Sequence, residues 1–339
     1  MLTDYNKFEY RDVPDPQIRF NEVLLQVKVC GICGSDVHGM DGSTGRRQPP
    51  IIMGHEAAGV IVETGSNVES WKNGERVTFD STIFCGECFY CDRGQVNLCD
   101  NRRVAGVACD DYHQDGAMAE YIAIPERILY ALPESLSYEE AAMVEALSVA
   151  FHAVRRTTVR IGDTAIVLGA GIIGLLIVQS LRISGAGKIV TLDLDDSRLS
   201  LAEKLGADVT VNSSSRHVAD IVKRLTDGRG ADLAFEAVGI SSTVQLGIEL
   251  IRKGGRLCLV GNLSKQISLP LQSVVTREIS LVSSCASSGE YPACLKMIAD
   301  GKIDVKSLIS GTPHLSEGES WFKRLHAREY GLMKIILMP

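Results

Sequence analysis

The sequence predicts an α/β protein with a β-rich first part and a doubly wound parallel sheet in its second part. Three observations carry this. Short apolar strand-like runs separated by glycines fill residues 1–149. An apolar run, a glycine-rich turn and a helix-length apolar segment follow in order from residue 165. Further strand-like runs then recur at β-α spacing as far as residue 285, the pattern of parallel strands covered by helices.

The bulk numbers bound the reading. A chain of 339 residues with 45% hydrophobic content corresponds to about two domains, each able to bury its own core. Charged residues make up 23% and the net charge is −7. The chain therefore carries no generic basic footprint for nucleic acid. The polar, acidic start "MLTDYNKFEYRDVPDP" does not resemble a secretion signal. The longest apolar run, around "TAIVLGAGIIGLLIVQSL", is broken by glycines and is shorter than the roughly 20 residues a membrane helix needs. The expected compartment is the cytoplasm, where thiols stay reduced.

In the β-rich part, "CGECFYCDRGQVNLC" spaces Cys85, Cys88, Cys91 and Cys99 as Cys-x2-Cys-x2-Cys-x7-Cys. A disulfide framework does not suit a long chain in a reducing compartment. Four thiolates suit zinc in a closed, structural site. An iron–sulfur cluster competes, but the bacterial ferredoxin run has x3 before its last cysteine and ends in proline, whereas Asp100 follows here. The bland reading is four unrelated buried thiols. The lobe is rich in glycine and polar residues, as expected of a loop that a metal orders.

A second set of soft ligands lies upstream. "KVCGICGSDVHG" and "IIMGHEAAGVIVETG" contain Cys33, His55 and Glu56. Three such ligands leave a fourth position open, as catalytic zinc sites do. Taken singly, a cysteine after a strand is usually a core thiol, and a His-Glu pair is usually surface. Asp36 reads either as a turn or cap residue or as a carboxylate orienting a ligand imidazole.

In the second part, "AIVLGAGIIG" places Gly169, Gly171 and Gly174 between a strand and a helix, with Ile172 and Ile173 opening the helix. The first glycine permits a tight turn, the second lets a pyrophosphate approach the backbone, and the third packs helix on strand. The next strand ends at Asp193, where a carboxylate accepts ribose hydroxyls and repels a 2′-phosphate, favouring NAD. Arg198 is the one nearby cation placed to favour NADP instead. "ADVTVN", "ADLAFEAVG", "GRLCLVGN" and "EISLVSS" supply four further strands, with "HVADIVKRL" and "TVQLGIELI" as helices between them. The bland reading of the glycine turn is a plain β-α turn.

"GICGSDVH", "GHEAAGVIVETG" and the four-cysteine lobe together resemble the zinc-dependent medium-chain alcohol dehydrogenases, above all the polyol branch of sorbitol (L-iditol) dehydrogenases, over essentially the whole chain. The resemblance implies a GroES-like catalytic domain over 1–149, to which 286–339 returns, and a Rossmann NAD-binding domain over 150–285. It implies a structural zinc in the four-cysteine lobe and a catalytic zinc on Cys33, His55 and Glu56. It makes Ser35 the acceptor of the alcohol proton and His38 its relay to solvent. Glu145, in "VEALSVAFHAV", matches a glutamate that holds the zinc water or swings onto the metal. Arg198 matches a basic residue common in the family's NAD enzymes, and Val238, Val260 and Asn262 fall where the family lines the nicotinamide pocket. The implied reaction is hydride transfer from the carbinol carbon to nicotinamide, yielding a ketone and NADH, in a homo-oligomer, dimer or tetramer.

The substrate is less defined. Sorbitol dehydrogenases carry a Phe-Arg-Tyr run whose Arg and Tyr hold sugar hydroxyls, and the matching positions here are Cys285, Ala286 and Ser287. Another polyol, a cyclic polyol, a diol, a phosphorylated sugar alcohol or a threonine 3-dehydrogenase-like activity all stay open, as does a non-catalytic dinucleotide sensor. Cys30, Cys258, Cys285 and Cys294 read as buried thiols, with Cys285 alternatively facing substrate. The opening of the chain predicts a frayed first edge strand, and the departure from the family at Cys109, Asp110, Tyr112 and His113 reads as a variable surface loop, or else as a stretch that shapes the substrate entrance.

Overall fold

The computed structural model describes residues 1–339. The chain divides into one compact unit of Met1–Glu145 with Ser287–Pro339 and a second of Ala146–Ala286. The first division falls just inside the helix Val144–Thr157. No helix is long and apolar enough to cross a membrane.

The first unit is organised by the strand Glu22–Gly31. Val23, Leu25, Val27 and Val29 alternate with less buried residues, the period-two pattern of a strand with one face on a core. Its ten residues are long enough for different partners on its two edges. Glu56–Thr64 pairs antiparallel along one edge, from Val23↔Thr64 to Gly31↔Glu56. The other edge takes Tyr121–Pro125 first. Lys334–Leu337 then pairs at Cys30 and Gly31. Arg76–Phe79 and Leu129–Ala131 complete one side of this seven-stranded sheet, and Ile309–Gly311 the other. Leu2, Ile51, Met53, Phe79, Ile124 and Phe322 fill its core. Leu2–Asp4 lies outside this sheet and forms a small hairpin with Lys7–Phe8. Leu2 in addition bridges antiparallel to Ile51, which ties the opening of the chain to the core.

The second unit is a six-stranded parallel sheet in the order Val209–Asn212, Lys188–Asp193, Thr164–Leu168, Ala231–Glu236, Ile251–Leu259, Ser280–Ser283. The chain starts at the third strand of this order, winds outward in one direction and then returns to wind in the other. The sequence therefore reverses between Thr164–Leu168 and Ala231–Glu236, and ligands of such sheets bind outside the strand ends at that reversal. The central strands are continuous apolar runs, as expected where both faces are covered. Ile166, Leu168, Val190 and Leu257 pack with Val222, Val244 and Ile248 from the helices. Cys258 is buried here, whereas Cys285 is exposed. It follows the edge strand Ser280–Ser283, which has a sheet neighbour on one side only, so the expectation of a buried thiol fails at this position.

Every residue of Lys334–Leu337 is buried, so the first unit depends on the last strand of the chain. Ile336→Ala is expected to cost about 2–5 kcal/mol, read as a lower denaturation midpoint in urea.

Candidate functional site

The four lobe cysteines converge on one point, with all four sulfurs within 4.8 Å of one another. The Cys88–Cys91 and Cys85–Cys99 sulfurs are 3.5 Å apart and the Cys85–Cys91 pair 3.9 Å, so none is a disulfide. Sulfurs at 2.3 Å from a shared tetrahedral ion would be about 3.8 Å apart. The donor set therefore fits a closed four-thiolate zinc site. Backbone N–H groups add to this. Cys85 N–H donates to Cys99 Sγ at 3.3 Å, and the Cys85 thiol is pulled down to about 6, chiefly by the backbone N–H of Glu87.

The register Gly31↔Glu56 sets the second cluster. Glu56 opens its strand and His55 precedes it, while Cys33 lies two residues beyond the end of the opposing strand. One donor atom from each of Cys33, His55 and Glu56 falls within 4.8 Å of the others. A Cβ at Gly31 would collide with the Glu56 carboxylate, so glycine is required beside it. Burial, followed by the Glu56 charge, pushes the Cys33 thiol up, so a thiolate there calls for an added cation. The set fits a zinc ion with three protein ligands and an open position.

Cys33 is also the N-cap of the short helix Gly34–Gly39, its sulfur accepting from Ser35 N–H while Cys33 N–H donates to Asp36 Oδ2 at 3.3 Å. Asp36 therefore caps the helix. It also faces His55, with Oδ1 3.7 Å from His55 Nδ1. Asp36 thus closes the capping box with one oxygen, while its other oxygen lies near the His55 ring. His55 Nδ1 has no hydrogen-bond partner, and with Nδ1 turned to Asp36 the other ring nitrogen is the one free for an ion. Burial alone would raise the Asp36 carboxyl, but His55 and Arg47 hold it below the usual range.

Two buried cations here were not found in the sequence. Lys334 donates to Glu56 Oε2 and, at 3.1 Å, to the Ile32 carbonyl. Arg47 donates to Asp36 Oδ1 from Nε at 2.9 Å and from Nη2 at 2.6 Å. For Lys334 the signal was a single charge inside the apolar strand "GLMKIILMP". Arg47 gave none, since "GSTGRRQPP" reads as a solvated loop.

Ser35 and His38 are exposed on Gly34–Gly39 and three residues apart, a spacing that puts them on one side of a helix. Burial, then Arg328 and His326, hold His38 below its ordinary value, so it is neutral at pH 7. Glu145 accepts from the Ser81 hydroxyl at 3.1 Å. Burial pushes its carboxyl up to about 7, with His55 opposing and Glu56 and Asp80 adding to the rise. It does not fall within the three-donor cluster. Asp80 is a further buried acid, accepting from Thr82 N–H at 2.8 Å and from the Ser287 hydroxyl at 3.4 Å. The loop departure at Cys109 to His113 forms a small hairpin, Val107–Ala108 with His113–Gln114.

In the second unit the glycine turn links Thr164–Leu168 to the helix Ile172–Ile183. Gly169 has φ +98°, and a Cβ at Gly174 would run into the Gly169 carbonyl. Space around Gly171 is open, leaving its backbone approachable by a ligand. Gly171 caps the helix, and the N–H groups of the first turn, Ile172 and Ile173 included, form an anion site by their dipole. Asp193 Oδ2 accepts from Ala170 N–H at 2.6 Å and Oδ1 from Asp195 N–H at 3.0 Å, which fixes the carboxylate beside the turn. Arg198 lies 3.9 Å from Asp195. Val238 packs against Gly169. Val260 N–H donates to the Glu236 carbonyl at 2.9 Å, and Asn262 is exposed. Glu236 escaped the sequence reading: one of its carboxylate oxygens gathers Val238 N–H, Gly239 N–H and the Thr243 hydroxyl, at 2.9, 2.8 and 2.7 Å. These groups fit a dinucleotide.

Residues 19–134 match the alcohol dehydrogenase GroES-like domain family and residues 173–300 the zinc-binding dehydrogenase family. The chain is 36% identical to D-arabitol-phosphate dehydrogenase of Enterococcus avium, covering 95% of this chain and 91% of the relative. It is 34% identical to sorbitol dehydrogenase of Bacillus subtilis, covering 100% and 96%. Among solved structures, a zinc-binding dehydrogenase of Sinorhizobium meliloti bound to NADP superposes with a TM-score of 0.91 at 30% identity, covering 100% and 98%. An alcohol dehydrogenase of Escherichia coli CFT073 complexed with NADH gives 0.92 at 28% identity, covering 100% and 98%.

Burial pushes Asp80 up to about 6. The folded chain thus keeps this proton over a range where the unfolded chain, near 3.9, has released it. The resulting stabilisation is present below about pH 4 and lost as pH rises through about 6. Asp80→Asn is expected to gain on wild type by up to about 3 kcal/mol between pH 4 and 7, measured by urea denaturation at both values. An unchanged difference would show that Asp80 does not titrate inside the fold.

Proposed function

This chain belongs to the zinc-dependent medium-chain dehydrogenases, in their polyol branch, and we propose that it reversibly oxidises a secondary hydroxyl of a polyol or sugar alcohol to a ketone with hydride transfer to NAD. The observation that carries this is the convergence of Cys33, His55 and Glu56 beside an exposed serine. Zinc bound by these three residues would supply Lewis acidity that makes an adjacent hydroxyl easier to deprotonate, and NAD would supply the hydride acceptor. Cys85, Cys88, Cys91 and Cys99 would hold a second, structural zinc.

The chain's own residues have separate tasks in this reading. Ser35 takes the alcohol proton and His38, neutral at pH 7, passes it to water. Glu145, its carboxyl raised, holds a proton near the centre. Gly169, Gly171 and Gly174, with Ile172 and Ile173, receive the pyrophosphate, and Asp193 receives the ribose hydroxyls. Val238, Val260 and Asn262 face the nicotinamide. Residues 1–149 with 286–339 form the catalytic domain and 150–285 the NAD-binding domain. Ten cysteines without a disulfide support a cytoplasmic enzyme. The one-sided edge strand Ser280–Ser283 supports a homo-oligomer that covers it.

A second reading is a phosphorylated sugar alcohol as substrate. The similarity to a D-arabitol-phosphate dehydrogenase favours it. So does the Ser287 hydroxyl, which is buried against Asp80 and thus committed where the sorbitol enzymes place a sugar anchor.

The test is NADH formation from a panel of five- and six-carbon sugar alcohols, their phosphates, inositols, 2,3-butanediol and threonine. One polyol or polyol phosphate is expected to stand out, with activity falling to background in Cys33→Ala. Asp193→Ala should raise the KM for NAD about tenfold or more, the loss expected for hydrogen bonds to a charged group. Metal analysis should find two zinc equivalents per chain, falling to one in Cys91→Ser. Silence across the panel with zinc and NAD both bound would favour the non-catalytic sensor.

A further inference from the structure

The Arg47 side chain is only 3% exposed, yet it comes from a loop of polar residues. It threads past Gly39, where a Cβ would strike Arg47 Cγ at 2.7 Å. At its end, Nε and Nη2 both donate to Asp36 Oδ1, Nη2 also donates to Ser35 Oγ at 3.3 Å, and Nη1 donates to the Arg46 carbonyl at 2.9 Å. All three guanidinium nitrogens are engaged. Asp36 has no exposed surface, and a buried carboxylate without a partner is strongly destabilising. Through its two oxygens this one carboxylate meets the backbone of Cys33 and the ring of His55.

We propose that Arg47 is the positioning residue of the centre, holding with one guanidinium both the Asp36 carboxylate that orients His55 and the Ser35 hydroxyl. The proposal rests on the proposed function for the role of Ser35. A guanidinium only donates. It occupies one lone pair of Ser35 Oγ, and the hydroxyl hydrogen of Ser35 must point away from it. The remaining lone pair is then the one that takes the alcohol proton, while the hydrogen already on Ser35 leaves toward the next acceptor. Ser35 gains one proton and gives up one, so it ends neutral, and Arg47 sets the direction of the exchange. Lysine cannot substitute, because a compact ammonium lacks the planar fork that spans two acceptors.

The test uses Arg47→Lys, Arg47→Met and Gly39→Ala. The last displaces the arginine stem and leaves its charge intact. Cobalt-loaded protein reports the centre without turnover, through the visible absorption that Cys33→Ala abolishes. Arg47→Met should weaken metal affinity at that site about 10–100-fold and shift its spectrum, as loss of a group supporting a ligand does. Arg47→Lys should keep metal affinity within about threefold and lower kcat about tenfold, a loss of one hydrogen bond's worth, with the KM for NAD unchanged. Gly39→Ala should move in the same direction. In a Ser35→Ala background the kcat effect of Arg47→Lys should vanish. Thermal unfolding of wild type, Arg47→Lys, Ser35→Ala and the double variant should show matching coupling.

Wild-type metal affinity and spectrum in Arg47→Met would overturn the link to His55. An equal Arg47→Lys effect with and without the Ser35 hydroxyl would overturn the link to Ser35. If Arg47→Met does not fold, Gly39→Ala and Arg47→Lys decide the same points. If wild type turns over no alcohol, the proposed function falls, while the cobalt spectrum and the thermal coupling still decide the role of Arg47.

Discussion

Everything at the candidate metal centre depends on the antiparallel register that sets Gly31 opposite Glu56. It stops one strand where another begins, so the chain leaves the sheet at Cys33 while His55 and Glu56 enter beside it. The same two residues at the end of the first strand, Cys30 and Gly31, also pair with Leu337 and Ile336. That second pairing carries Lys334 to the Glu56 carboxylate. A slip of one residue would turn each side chain to the opposite face of the sheet, removing the glutamate and its lysine together. The alternating apolar residues from Val23 to Val29 hold that register. The chemistry of the centre is therefore secured by core packing farther back along the same strand.

Charge explains why this arrangement needs both cations. Asp36 and Glu56 are buried carboxylates at one locus, and each is matched by its own buried base, Arg47 or Lys334. The pairs balance, so the acids do not repel a third negative group as strongly as they otherwise would. A Cys33 thiolate would still leave the locus with one excess negative charge, and burial holds the thiol protonated until a cation arrives. A divalent ion relieves that penalty. In the lobe, by contrast, four sulfurs surround a single point and backbone N–H groups lower Cys85, leaving no position for a substrate. The two clusters thus separate by geometry into a closed site and an open one.

What the sequence made legible follows from what is local in the chain. The four-cysteine spacing, the glycine turn with its strand and helix, and Asp193 at a strand end each lie within one short stretch, and the structure gathers them as their spacing implies. The candidate ligands Cys33, His55 and Glu56 are farther apart, but glycines and strand patterns mark their segments. Groups joined only by tertiary pairing stayed hidden. Arg47 sits in a loop that resembles any solvated turn, and Lys334 comes 278 residues after its partner. Asp80 meets Ser287 across 207 residues, a separation no local pattern reports. The buried reading of Cys285 fails because it rested on thiols being usually buried, whereas its exposure depends on which strand ends the sheet.

The pairing of Ser287 with Asp80 bears on specificity. In the sorbitol-like pattern this stretch offers long polar side chains to the sugar. Here the serine hydroxyl turns inward to a buried acid whose carboxyl is raised to about 6. Tyr291 follows, fully buried and stacked on Tyr130 with ring centroids 4.8 Å apart, and Glu290 accepts from Ser288 N–H. The segment thus directs its polar groups into its own unit. A substrate of this chain must then be recognised by other residues, or by groups of its own that need no side chain at these positions. A phosphoryl group would be such a handle, since it can be held by backbone N–H groups and by cations distant from the reacting carbon. Selectivity among sugar alcohols would then reside in what lies at the far end of the substrate, away from Cys33, Ser35, His55 and Glu56.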